Sequence, residues 1–190
     1  MLIRSIASLA CTAVLATAGL AQMAPMNHEG AKAGDKPAKA LASPAAIAEV
    51  TLDGKDLKIT YNTPSMRGRK IMGDLVPYGK VWRTGANEAT TLITKTNLKI
   101  GTLSVPAGTY TIFTLPNPDQ WLFIVSKKTG EWGIPYPEGN DLGRTPMTSA
   151  AALPESQEKM SLSFENTKGN TTELHVKWDK TDEFIQITAE

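Results

Sequence analysis

The feature that most limits what this chain can fold into is an alternation of apolar and polar residues that recurs along its length. Leu57, Ile59 and Tyr61 alternate with polar neighbours in KDLKITYN, and Met160, Leu162 and Phe164 do so in EKMSLSFEN. Leu174, Val176 and Trp178 repeat the pattern in TTELHVKW, as do Ile185 and Ile187 in EFIQITA. Successive side chains of a strand point to opposite faces, so each run reads as a strand with one apolar side. TTLITKT at 90–96 and TYTIFTL at 109–115 are rich in Thr, Ile and aromatics, which suit strands. QWLFIVS at 120–126 is a continuous apolar run and reads as a central strand. Turn residues punctuate these runs at Asp53-Gly54, Pro116 to Asp119, Lys168-Gly169-Asn170 and Asp179-Lys180-Thr181. No long stretch has a helical period, although Pro154 to Lys159 leaves room for one short helical turn. The implied fold is all-β: an antiparallel β-sandwich, or a related partly closed barrel, with one long irregular loop segment at 64–89.

The N-terminal end has a different character. Arg4 is followed by an apolar stretch from Ser5 to Leu15 and by small residues from Ala16 to Ala21. This is the layout of a secretory signal peptide over residues 1–21, with cleavage after Ala21 or Ala18. A spanning helix needs roughly 20 apolar residues, so no stable membrane span is expected once the signal is removed. The protein is expected to be exported, to the periplasm or outside the cell. Cys11 is the only cysteine and lies within the signal. The mature chain would then lack disulfides, thiolate nucleophiles and Cys-ligated metals. Removing residues 1–21 takes away one base and no acid, which leaves 19 bases against 19 acids. Nucleic-acid binding wants a basic surplus, so that function is not expected. Residues 22–43 are rich in Ala, Lys, Pro and Gly and read as a disordered linker. Met23, Met26 and His28 there are soft metal ligands on a floppy tether and read as incidental. Residues 44–190 are enough for one domain with a real core.

The irregular segment 64–89 breaks the alternation. It holds Arg67, Arg69, Lys70, Lys80 and Arg83 against Asp74 and Glu88. Long unpatterned connections in compact domains are functional or disordered. Ile71, Leu75, Val76, Val81 and Trp82 can anchor this one to a core. Its sequence, PSMRGRKI at 64–71 and LVPYGKVWRTGANEAT at 75–90, resembles the signature of the domain of unknown function 2911 family. Pro106-Ala107-Gly108-Thr109-Tyr110, the Trp121 strand and Trp132-Gly133 match as well. The resemblance implies export and a bacterial origin. It brings no established activity, substrate or cofactor, and no catalytic residue to carry over.

The chemistry available in the segment centres on Arg83 and Glu88. Arg presents a planar fork that grips carboxylate or phosphate. Asn87 adds a donor and an acceptor, and Gly85 permits a turn with positive φ. Tyr78, Trp82, Trp132 and Tyr136 offer stacking surfaces. The plainer alternatives are an Arg83–Glu88 salt bridge that staples the loop, and Trp82 and Trp132 as core plugs. Arg67-Gly68-Arg69-Lys70 lacks the ending of a phosphate loop and reads as a basic turn. Glu138, Asn140 and Asp141 are too few for a calcium loop. His28 and His175 are the only histidines, too few for a His-based zinc site, and His175 falls on the polar face of its strand, facing solvent. No metal or cofactor is expected. The leading reading is a module that binds a small polar or anionic ligand, or a glycan, with Arg83, Asn87, Glu88, Tyr78 and Trp82, joined by Arg67 and Trp132. The alternatives are an envelope domain that docks another protein, and a metal-free enzyme with Glu88 as acid or base and Arg83 as electrophilic stabiliser.

Overall fold

Two antiparallel sheets face each other in a computed structural model that describes residues 42–190. The expected signal peptide at 1–21, and the tail residues Met23, Met26 and His28, lie outside the described residues. The strands are β1 (Ala45–Leu52), β2 (Lys55–Asn62), β3 (Thr91–Thr94), β4 (Leu98–Ile100), β5 (Leu103–Val105), β6 (Gly108–Leu115), β7 (Leu122–Ser126), β8 (Asp141–Pro146), β9 (Thr148–Ser149), β10 (Gln157–Lys168), β11 (Thr171–Asp179) and β12 (Thr181–Ala189). The first sheet has the order β1-β2-β3-β6-β7-β8. The second has β10-β11-β12-β4-β5, with β9 pairing on β12. The sheets do not close into a barrel, so the fold is a β-sandwich.

Alternation builds the core. Leu57 and Ile59 from β2 face Leu174, Val176 and Trp178 from β11, and all five are buried. The Tyr61 hydroxyl joins the two layers. It accepts from the Leu162 amide at 3.1 Å and donates to the Leu162 carbonyl at 3.3 Å. Just past β2, Met66 N donates to Glu158 O and Met160 N to Pro64 O, which ties the start of the irregular segment to β10.

A second, smaller cluster lies on the opposite side of the first sheet. Phe113 of β6 and Ile124 of β7 are register partners with no exposure, and their side chains face away from Ile112 and Val125. Ala89, Val81, Leu115 and Tyr136 pack over them. Both faces of β6 and β7 are therefore covered here, which is why Ile112-Phe113 of β6 and Leu122–Val125 of β7 are apolar on both sides of the sheet.

β4, β5, β8 and β9 are strands that neither alternation nor composition had predicted. The expected helical turn at 154–159 is also absent. Pro154 and Glu155 form a bend, and β10 begins at Gln157. Leu153 N donates to Lys180 O at 3.0 Å, which spends an amide on the neighbouring β11–β12 turn.

Candidate functional site

Residues 83–89 form an excursion that precedes β3 and is anchored on β6, in the interior of the first sheet. Trp82 exchanges two backbone hydrogen bonds with Thr114, at 2.8 and 2.9 Å, and Thr90 O accepts from Ile112 N at 2.8 Å. Both ends are thus fixed to β6. Inside the loop, Thr90 Oγ1 donates to Thr84 O at 2.8 Å and Trp82 Nε1 to Gly85 O at 3.2 Å. The expected positive φ at Gly85 is not found. Thr84 and Asn87 take that conformation instead, at 52° and 56°. For a β-branched threonine this is strained, at roughly 1–3 kcal/mol. Complete burial and hydrogen bonds to Thr114 Oγ1 and Trp82 O hold Thr84 there. Gly85 is favoured for a different reason. A Cβ on it would lie 3.1 Å from Thr90 Oγ1 and 3.2 Å from Asn62 O.

A cavity of about 350 Å³ opens beside this loop. Among the described residues its charged lining consists of Arg69 and Arg83, with no carboxylate side chain. Arg69 donates Nε to Met66 O at 2.9 Å and Nη2 to Ser65 O at 2.7 Å. Arg83 donates Nη1 to Trp132 O at 3.0 Å, and its guanidinium carbon lies 5.0 Å from the centre of the Trp132 ring. Among the described residues neither arginine has an ion-pair partner. Burial pulls the Arg83 pKa below its ordinary value, and the charge of Glu88 opposes that. The group remains cationic at neutral pH. Carbonyls orient both forks and neutralise neither.

Trp82 and Trp178, stacked at 5.9 Å between centroids, also line the cavity, and Trp121 meets Trp82 edge-on. Leu75 and Ile134, exposed by 41% and 65%, stand on its rim. Gly133, with φ 82°, carries the chain under Arg83; a Cβ there would come within 2.9 Å of the Ala89 Cβ.

Of the seven residues singled out in the sequence, the structure brings Arg83, Trp82 and Trp132 together. Trp132 is 52% exposed and is no core plug. Asn87 contributes indirectly, donating to the carbonyl of Ser43, a cavity residue. Glu88 faces a separate depression beside β1 and β2 and accepts from Asn62 Nδ2 at 3.4 Å; the stapling salt bridge with Arg83 is not formed. Tyr78 covers Gly73, and Arg67 donates to Ala42 O. The sequence had marked Arg69 only as part of a basic turn, and had marked Leu75 and Trp178 only as apolar residues. Ile134 carried no mark at all.

His175 requires a correction. It lies on the outer face of its strand, yet is only 5% exposed. Its Nδ1 is 2.7 Å from Asp182 Oδ1 and its Nε2 is 3.3 Å from Glu173 Oε2. The Phe184 ring stacks on it at 5.0 Å. Lys177 bonds Glu165 at 2.6 Å alongside. A His–Asp pair makes two of the three members of a catalytic triad, but here Nε2 meets the Glu173 carboxylate where the triad needs a hydroxyl. Among the described residues no group of three His, Cys, Asp or Glu side chains is placed to hold a metal ion.

A model of the family described as "Protein of unknown function (DUF2911)" matches residues 43–187. The chain belongs to the DUF2911 family. The DUF2911 span contains the whole cavity lining, from Ser43 to Trp178. No curated protein and no solved structure matches the chain.

Proposed function

We propose that this DUF2911 domain is an exported binding module whose cavity beside Arg83 takes a small anion. The observation that carries this reading is the pair Arg69 and Arg83. Two guanidinium groups line one cavity, each aimed by backbone carbonyls and neither in an ion pair among the described residues. Two cationic forks on one cavity favour an anion that can reach both. Export rests on the signal-peptide layout of residues 1–21.

The test is a thermal-shift screen of the mature chain against inorganic phosphate, sulfate and simple carboxylates. At least one should raise the melting temperature in a dose-dependent way. Arg83→Ala should remove that rise, with at least a tenfold loss of affinity expected for one charge-assisted contact, about 1.5–3 kcal/mol. An Arg83→Ala protein that responds to every anion as the wild type does would rule the site out.

A further inference from the structure

The rest of the cavity says what kind of anion it fits. The following rests on the anion reading above and deepens it. We infer that the ligand is an organic carboxylate with an apolar, ring-sized body. Among the described residues that line it, Ser43 is the one hydroxyl side chain beside the two arginines. Those described residues include no carboxylate and no carboxamide, so a sugar would find few partners there for its hydroxyls. A bare phosphate or sulfate would engage the guanidinium groups and leave most of the 350 Å³ unfilled.

The apolar surface there is substantial and unusually exposed. Leu75 and Ile134 are two of the six large apolar side chains that stay exposed among the described residues, and both border this one cavity. Trp82 is only partly buried, and Trp178 beneath it is almost wholly covered, so Trp82 supplies the aromatic surface a ligand would meet. Arg83 already occupies the face of Trp132. That face aims the cation, and Trp132 itself is not part of the cavity lining. A ligand with its charge between Arg69 and Arg83 and its body against Trp82, Leu75 and Ile134 satisfies both halves of the lining. Mostly apolar walls with a few fixed polar groups are the usual composition of a small-molecule site.

Calorimetric titration of the mature chain with benzoate, acetate, inorganic phosphate and benzyl alcohol tests this. Benzoate should bind at least about tenfold more tightly than acetate or phosphate, because burying a ring adds apolar contact that those ions lack. Benzyl alcohol should bind more weakly than benzoate. Ile134→Ser lies at an exposed position, so the fold should survive it; the change should weaken benzoate and leave acetate unaffected. Acetate or phosphate binding as tightly as benzoate, with Ile134→Ser silent, overturns the inference and leaves the anion site standing. Benzyl alcohol binding as tightly as benzoate, or no binding by any of the four, overturns both.

Discussion

Glu183 occupies an inward position of β12 with only 6% exposure, where alternation calls for an apolar residue. Ser149 Oγ donates to both its oxygens, at 2.8 and 3.0 Å. Burial nevertheless raises its pKa; the Ser149 hydrogen bond opposes the shift and the Asp182 charge adds to it. A carboxyl whose folded pKa is raised holds its proton in the folded state at pH values where the unfolded chain has lost it. Stability from this group is therefore full below the ordinary glutamate range and is lost as pH rises through the folded value. Glu183→Gln keeps an acceptor for Ser149 and removes the buried charge. We expect it to raise the melting temperature at neutral pH by about 2–4 °C, near 1 kcal/mol for a domain of this size. The gain should close as the pH falls below the glutamate range. A melting curve with no gain at neutral pH, or a gain equal at all pH values, would show that burial of this charge costs nothing. His175 teaches a related lesson at the same scale. Strand period correctly assigned its face, but Glu165, Glu173, Lys177 and Asp182 close over it, and period carries no information on how far neighbouring side chains reach.

At the scale of elements, the cluster of Phe113, Ile124 and Ala89 is what holds the irregular segments against the sheet. Phe113→Ala should cost about 3–5 kcal/mol, the usual range for emptying a buried aromatic site. Its particular signature would be faster amide exchange over residues 81–89 and 131–136 than over β2 or β11. Uniform acceleration across both sheets would mean that the cluster is not a separate fastening. The long strands were legible because each has enough residues to show a period, and the Asp53-Gly54 and Gly169-Asn170 turns marked their ends. β4 and β5 have three residues each and β9 has two, too few for any period. β8, Asp-Leu-Gly-Arg-Thr-Pro, buries only Thr145 and lies at a sheet edge, so its sequence carries Gly and Pro where a central strand would carry apolar residues.

For the whole molecule, export predicts a mature N-terminus at Gln22 or Gly19, readable by mass spectrometry of protein recovered from the envelope or medium. An intact Met1 in that fraction would contradict it. The mature chain would carry no cysteine, so a reducing agent should leave its melting temperature unchanged. The site was only half legible because a cavity is assembled from distant stretches. Arg83 and Trp82 lie in the segment that breaks the alternation, so the pattern itself pointed to them. Trp178 looked like any core residue of a strand, and Ile134 lies in a stretch with no pattern; only folding sets them beside Arg83. The mooring of residues 82 and 90 on β6 has one more consequence. Thr114 and Ile112 hold the two ends of the excursion about 7 Å apart, two residues along one strand. Residues 86–88 are therefore a tip on a fixed collar. A change of residue at Ala86 or Asn87 therefore reshapes the wall of the cavity while the sheet underneath goes on setting the spacing of the loop's ends.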